Sequence, residues 1–226
     1  MTSRKRLDEL SDNELYELWI QHRGEHLDTP EVRRSRLAGG ILAKRYSDPL
    51  QRFFRKRLGD DCQDVLSETT NALLFGNYRG EGVFRSYVFG IAYRRTLAEY
   101  KKRSRRKDFD PSVSSLNDLG GSVTYVMEKL KVRALVAAAL RRVPLDNQQA
   151  IELYYIEGFS GPEAAEIIGI SLSAFRWRLK RGLEKVRKEF AKIESTGGEH
   201  EGGQSVIEDW AVQLGEDGEL DTDDDE

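Results

Sequence analysis

The sequence predicts an all-α protein of two small helical domains joined by a flexible linker and followed by an acidic C-terminal tail. Three observations predict it. Apolar residues recur at helical spacing in successive segments, among them Leu172, Phe175, Leu179, Leu183, Val186 and Phe190. Residues 107–126 interrupt that periodicity with Pro, Ser, Gly and Asp, the composition of a linker. Ser160 to Phe190 reads as two short helices around a tight turn, a helix-turn-helix whose second member has a basic outer face. The expected divisions are an N-terminal helical extension at 1–30, a first domain at 31–106, the linker at 107–126, a second domain at 127–193 and the tail at 194–226.

Arg4 to Gln21 contains a helix in which Leu7, Leu10, Leu15, Leu18 and Trp19 can pack on the next domain. Val32 to Leu58 follows, with Leu37, Ile41, Leu42, Tyr46, Leu50, Phe53, Phe54 and Leu58 as core candidates. Gly39-Gly40 and Pro49 mark breaks within it, and Gly59 ends it. Asp61 to Phe75 is a third helix, with Cys62, Val65, Leu66, Thr69, Ala72 and Leu73 on one side and Asp61, Asp64 and Glu68 on another. Taken alone, that acidic face is ordinary surface charge. The loop Asn77-Tyr78-Arg79-Gly80-Glu81-Gly82 leads into a long helix, Phe84 to Arg106. It begins apolar at Phe84, Tyr87, Val88, Ile91 and Ala92 and ends basic at Lys101, Lys102, Arg103, Arg105 and Arg106. Aromatic rings beside arginines suit single-stranded nucleic acid, because bases stack while cations follow phosphates.

Beyond the linker, Glu128 to Val143 is a helix that stops at Pro144. Asp146 and Gln149 have capping-box spacing for another, Asn147 to Glu157, whose Ile151, Tyr154 and Tyr155 can pack beneath the helix-turn-helix. Ser160 with Glu163 repeats the box, Pro162 suits the first turn, and Gly169 sits where the chain must leave the helix with positive φ. Ser171 caps the next helix. Its outer face carries Ser173, Arg176, Trp177, Lys180, Arg181, Lys185, Arg187 and Lys188, a width that fits the major groove of duplex DNA. A merely solvated helix is the alternative, but Trp177 in the middle of a polar face argues against it.

Composition narrows the function classes. Of 226 residues a third are charged, and no apolar run approaches the ~20 residues of a membrane span. Met1 to Arg6 leads into charged sequence rather than a signal-peptide core, so a cytoplasmic protein with no membrane insertion is expected. The single cysteine, Cys62, has no partner for a disulfide and no ligands at metal spacing, so it reads as a small buried residue. His22, His26 and His200 are not near a plausible nucleophile, and no phosphate-binding glycine loop precedes a lysine. Neither an enzyme nor a cofactor is expected. The net charge of −3 conceals a segregation: 13 acids and no Lys or Arg lie from Glu194 onward, leaving 36 basic against 26 acidic residues before it. A basic body suits polyanions.

In their order and spacing these segments resemble bacterial sigma-70-type initiation factors, specifically the two-domain extracytoplasmic-function group, over Arg36 to Ile193. Asp61-Cys62-Gln63-Asp64-Val65-Leu66-Ser67-Glu68-Thr69 is similar to the family's Asp-Ala-Glu-Asp-Leu-Val-Gln-Glu-Thr. Phe84 to Lys101 looks like the helix that melts and reads the minus-ten element, with Tyr87-Val88 at its Trp-Leu and Ile91-Ala92 at its Ile-Ala. Glu163-Ala164-Ala165 stands at the family's Glu-Ile-Ala, and Ser173-Ala174-Phe175-Arg176-Trp177-Arg178 at its Gly-Thr-Val-Lys-Ser-Arg.

The resemblance implies core RNA polymerase as partner, through its β′ clamp and β flap, together with promoter DNA. Asp61, Asp64 and Glu68 become polymerase contacts. Asn77, Tyr78 and Arg79 lie on a loop that captures an unstacked base, and Lys101, Lys102, Arg103 and Arg105 follow the nearby backbone. Ser173, Arg176, Trp177, Lys180 and Arg181 read the minus-35 element. Gln63 and Ser67 depart from the family's acid and glutamine, and Trp177 replaces a small polar residue, which implies a different minus-35 sequence. Three further expectations concern control: an anti-sigma factor as partner, a tail that either folds back through Val206, Ile207 and Trp210 or is a disordered solubility segment, and phosphorylation of Ser67 or Thr69. A transcriptional regulator that binds DNA through Ser160 to Phe190 without touching polymerase is the second class of function.

Overall fold

The computed structural model describes residues 6–80, 82–105 and 135–197, with side chains described through Ile193. The expected linker and acidic tail lie outside the described residues. Helices alone make up the regular structure among the described residues, in two compact units, Met1–Lys107 and Asp108–Glu226.

The first unit opens with a 3-10 turn, Leu7–Glu9, and then α1, Asp12–Gln21. Ser11 begins α1 with a reciprocal box: the Glu14 amide donates to Ser11 Oγ at 3.2 Å, and the Ser11 amide to Glu14 Oε2 at 2.8 Å. Thr29 caps α2, Pro30–Leu58, with Pro30 in the first turn. α3 spans Gln63–Phe75 and α4 spans Phe84–Arg103.

Contrary to the sequence expectation, α2 is not broken at Gly39-Gly40 or at Pro49. Gly39 serves a close approach instead: a Cβ there would stand 2.7 Å from Trp19 Cε3. Pro49 removes one rung of the ladder. Its turn is held by Leu50, Phe53 and Phe54, all fully buried. Gly59, at φ 73°, does end the helix.

Leu42, Leu50, Phe53, Leu73, Phe84, Val88 and Ala92 form the core. The Phe53 ring meets Phe54 and Phe89 edge-on at 5.5 and 5.3 Å. Arg57 is buried with its guanidinium 3.7 Å above the same ring while donating to the Phe53 carbonyl. Leu37, expected in the core, is exposed.

In the second unit, residues 135–140 are helical (α5), and α6, Leu145–Ile151, runs into a single π-helical turn, Glu152–Ile156. α7, Gly161–Ile168, and α8, Leu172–Gly197, complete it. The capping box expected at Asp146 and Gln149 does not form. Pro144, with extended ψ, admits the chain to the helix directly; Asp146 falls inside the first turn facing Arg178 at 3.6 Å, and Gln149 is buried.

Gly182 lies at the crossing of α8 and α6. A Cβ there would sit 2.9 Å from Ile151 Cδ1 and 3.2 Å from the Asn147 carbonyl oxygen. Gly40 on α2, by contrast, faces open space. Gly182→Ala should therefore destabilise the protein by about 1–3 kcal/mol through overpacking. Gly40→Ala should stabilise it by about 0.5–1 kcal/mol through helix propensity. Denaturant melts of the two variants check the opposite signs.

Candidate nucleic-acid and polymerase interface

The corner of the helix-turn-helix is closed by main-chain bonds. Ser160 Oγ accepts from the Glu163 amide and Glu163 Oε2 accepts from the Ser160 amide, which fixes the start of α7. At its end Gly169 adopts φ 81°, and besides the Gly169 amide bond to the Ala165 carbonyl at 2.8 Å two more form: the Ile170 amide to the Ala165 carbonyl at 3.1 Å and the Gly169 amide to the Glu166 carbonyl at 3.1 Å. That pair is the Schellman arrangement, which needs a left-handed residue at the glycine. Ser171 Oγ then accepts from the Ala174 amide at 3.2 Å and starts α8.

Phe175, Leu179, Leu183, Val186 and Phe190 are buried along one stripe of α8. Ser173, Trp177, Lys180 and Arg181 are thereby exposed, and Arg176 is half-buried. Trp177 keeps 58% of its surface in solvent, and the Arg181 guanidinium carbon lies 4.9 Å from its ring centroid. This stacking restrains a long cationic side chain without neutralising it. Arg178 points elsewhere, toward Asp146, while Asn147 donates to the Arg178 carbonyl at 2.9 Å.

On α3 and the turn before it, Asp61, Asp64 and Glu68 are all exposed. Glu68 is engaged within the unit, paired with Arg95 of α4. Cys62 is buried, as expected, and burial pushes its thiol up. Ser67 is exposed, but Thr69 is fully buried and donates to the Val65 carbonyl, so a modifying enzyme could not reach its hydroxyl in this fold.

The loop after α3 departs most from expectation. Asn77 and Arg79 are exposed, but Tyr78 is only 7% exposed and its ring is no platform for a base. It packs edge-on against Tyr16 and Phe84 at 5.4 and 5.0 Å, and its hydroxyl lies 3.1 Å from Asn13 Oδ1 and 2.8 Å from the Gly82 carbonyl, sharing its one proton between them. The reason is a neighbour far away in sequence: the Tyr16 hydroxyl accepts from the Tyr78 amide and donates to the Gly76 carbonyl. Sequence reasoning missed Asn13, Tyr16 and Arg23, since nothing local in α1 announces contacts made more than 50 residues on.

At the end of α4, Lys101, Lys102 and Arg105 are exposed, whereas Arg103 is committed to the fold. Its Nε donates to Glu99 Oε1 at 2.8 Å, and its terminal nitrogens donate to the Leu58 and Asp61 carbonyls. Arg103 therefore ties α4 to the end of α2 rather than waiting for a phosphate. Among the described residues no group of three or more His, Cys, Asp or Glu is placed to hold a metal ion, and no helix is long and apolar enough to cross a membrane.

Residues 133–186 match the family described as Sigma-70, region 4. This part of the chain is similar to a sigma-70 region 4 domain. Over 153 residues the chain is 22% identical to RNA polymerase sigma factor SigZ of Bacillus subtilis (strain 168), covering 65% of this chain and 84% of that one. It is 27% identical over 137 residues to RNA polymerase sigma factor CnrH of Cupriavidus metallidurans, covering 56% and 71%. Both alignments are too long for the region 4 unit alone and reach into the first unit. A solved structure of CnrH in complex with the cytosolic domain of CnrY has the same fold, with a TM-score of 0.50 at 20% identity over 81% of this chain and 98% of that one.

Glu99 supplies a pH signature. Burial works against its charge, but Arg103 and Lys102 outweigh burial and hold the carboxyl below its ordinary value of 4.5. A depressed carboxyl stabilises the folded state above that ordinary value, and the contribution is lost as pH falls through the lowered one. Denaturant melts of the wild type should show the first unit weakening below about pH 4.5. Glu99→Gln should flatten that acid limb.

Proposed function

We propose that this chain is an RNA polymerase sigma factor of the extracytoplasmic-function group: it binds core polymerase, directs it to promoters and stabilises the opened strand. The observation that carries this reading is the cationic face of α8 in the segment that matches region 4, with Trp177, Lys180 and Arg181 offered outward and Arg176 half-buried beside them. Arg176 and Arg181 have the fork geometry that reads guanine edges, where a good bidentate pair contributes about 1–3 kcal/mol. Lys180 is suited to phosphate. The role is binding and positioning, with no covalent step by this chain, and it belongs in the cytoplasm where polymerase and DNA are.

In the first unit, Asp61 and Asp64 offer carboxylates to the β′ clamp, and the region 4 domain faces the β flap. Asn77 and Arg79 meet the unpaired base, while Lys101, Lys102 and Arg105 follow the strand, which makes binding salt-dependent. CnrH has been solved with the cytosolic domain of CnrY, which supports a restraining protein partner for this chain too. The tail offers a second restraint: its 13 acids complement the α8 face electrostatically. A DNA-binding regulator independent of polymerase is not favoured, because the relatives matched across both units are sigma factors.

Sequencing the transcripts made by core polymerase with and without the chain should reveal new start sites. Arg176→Ala with Arg181→Ala should lower transcription from them by roughly tenfold or more. Unchanged promoter use would sink the reading. Truncation after Ile193 should raise affinity for promoter duplex at low salt and leave it little altered at high salt; equal affinity at both salts would remove the tail from the account.

A further inference from the structure

We infer that α1 braces the loop after α3 and thereby sets which minus-ten base the chain accepts, with Tyr16 and Arg23 as the positioning residues. This rests on the sigma-factor reading of that loop.

α1 is anchored along α2. Asp12 receives Arg45 Nη1 at 2.7 Å and the Tyr46 hydroxyl at 2.5 Å, and Arg45 also donates to the Leu10 and Asp8 carbonyls. Further along, Ser35 Oγ donates to the Trp19 carbonyl at 2.9 Å. From this fixed base, α1 and the turn after it direct polar groups at the chain running out of α3. The Trp19 indole donates to the Leu74 carbonyl at 2.7 Å, and Arg23 and Tyr16 donate to the Gly76 carbonyl at 2.9 and 2.8 Å. The Tyr16 hydroxyl also accepts from the Tyr78 amide at 3.1 Å, and Asn13 receives the Tyr78 hydroxyl.

A helix that merely covered a core would present apolar side chains. Here Tyr16 and Trp19 of the helix, with Arg23 of the turn after it, end on main-chain carbonyls of residues 74 and 76. The site has no slack, since a Cβ at Gly76 would stand 2.4 Å from the Tyr87 hydroxyl. Residues 76 and 78 are thus pinned on either side of Asn77, and Arg79 follows directly, so the two exposed side chains offered to a base hang from a backbone whose path α1 dictates. Moving that backbone changes the hydrogen-bonding geometry at the captured base while leaving the duplex-reading surface of α8 untouched.

The test uses the full chain with core polymerase on a promoter library randomised across the minus-ten element, scored by open-complex formation. Tyr16→Phe keeps the ring and removes the hydroxyl bridge; Arg23→Ala lies on the surface and remains informative should Tyr16→Phe fold poorly. Both should lower base discrimination, Tyr16→Phe by roughly tenfold, at the same position affected by Asn77→Ala and Arg79→Ala. Affinity for a minus-35 duplex should be unaltered. If the loop variants lose discrimination while both α1 variants keep it, or lose activity uniformly on every sequence, the brace is overturned and the loop reading stands. If Asn77→Ala and Arg79→Ala themselves change no preference, the reading of the loop fails, and the inference with it.

Discussion

Burial of Phe175, Leu179, Leu183, Val186 and Phe190 fixes the rotation of α8 about its own axis. Each such side chain contributes about 1.5–3 kcal/mol when removed from water, so turning the helix by one residue would forfeit most of the unit's core on that side. The cationic face is consequently not a matter of choice: once the stripe is inside, Trp177, Lys180 and Arg181 must be outside. Gly182 sharpens the constraint, because the absence of a side chain there lets α8 press onto α6 without sliding or tilting. The closed corner at Ser160, Gly169 and Ser171 then sets where along the chain that face begins.

Charge in the first unit divides into groups used by the fold and groups left for others. Arg103 holds the ends of α2 and α4 together, Glu68 is paired with Arg95, and Arg45 gathers Asp12 and two carbonyls at the start of α1. Asp61, Asp64, Lys101, Lys102 and Arg105 remain exposed. Neighbouring cations on one helix can therefore be held differently, as exposed Lys101 and fold-committed Arg103 are. The distinction comes from what lies opposite on a second helix, and a linear charge pattern contains no information about that.

The same limit explains which features were legible in advance. Helix-turn-helix chemistry is local: a serine, a glutamate three residues on, a glycine at the exit and a stripe at 3.6-residue period are all read within 30 residues, and the structure has each of them. The helical fold was legible for the same reason. Tyr78 was misjudged because polar, glycine-rich neighbours suggest exposure, while its burial is decided by Tyr16, 62 residues earlier. Gly39 and Pro49 are breakers by propensity, but tertiary packing outweighs propensity in a helix with buried Tyr46 before Pro49 and fully buried Phe53 and Phe54 after it. At Asp146 the spacing was right and the start of the helix was not, since Pro144 already supplied it.

The contact between Gly39 and Trp19 reaches further than helix packing. The indole lies flush on bare α2 backbone at its six-membered ring, while its N–H grips the Leu74 carbonyl. One aromatic plate thus meets α2 with its face and the end of α3 with its edge. Any side chain larger than glycine at position 39 would have to displace the ring, and with it the bond to Leu74. The width of one side chain on α2 therefore bears on a carbonyl at the far end of α3.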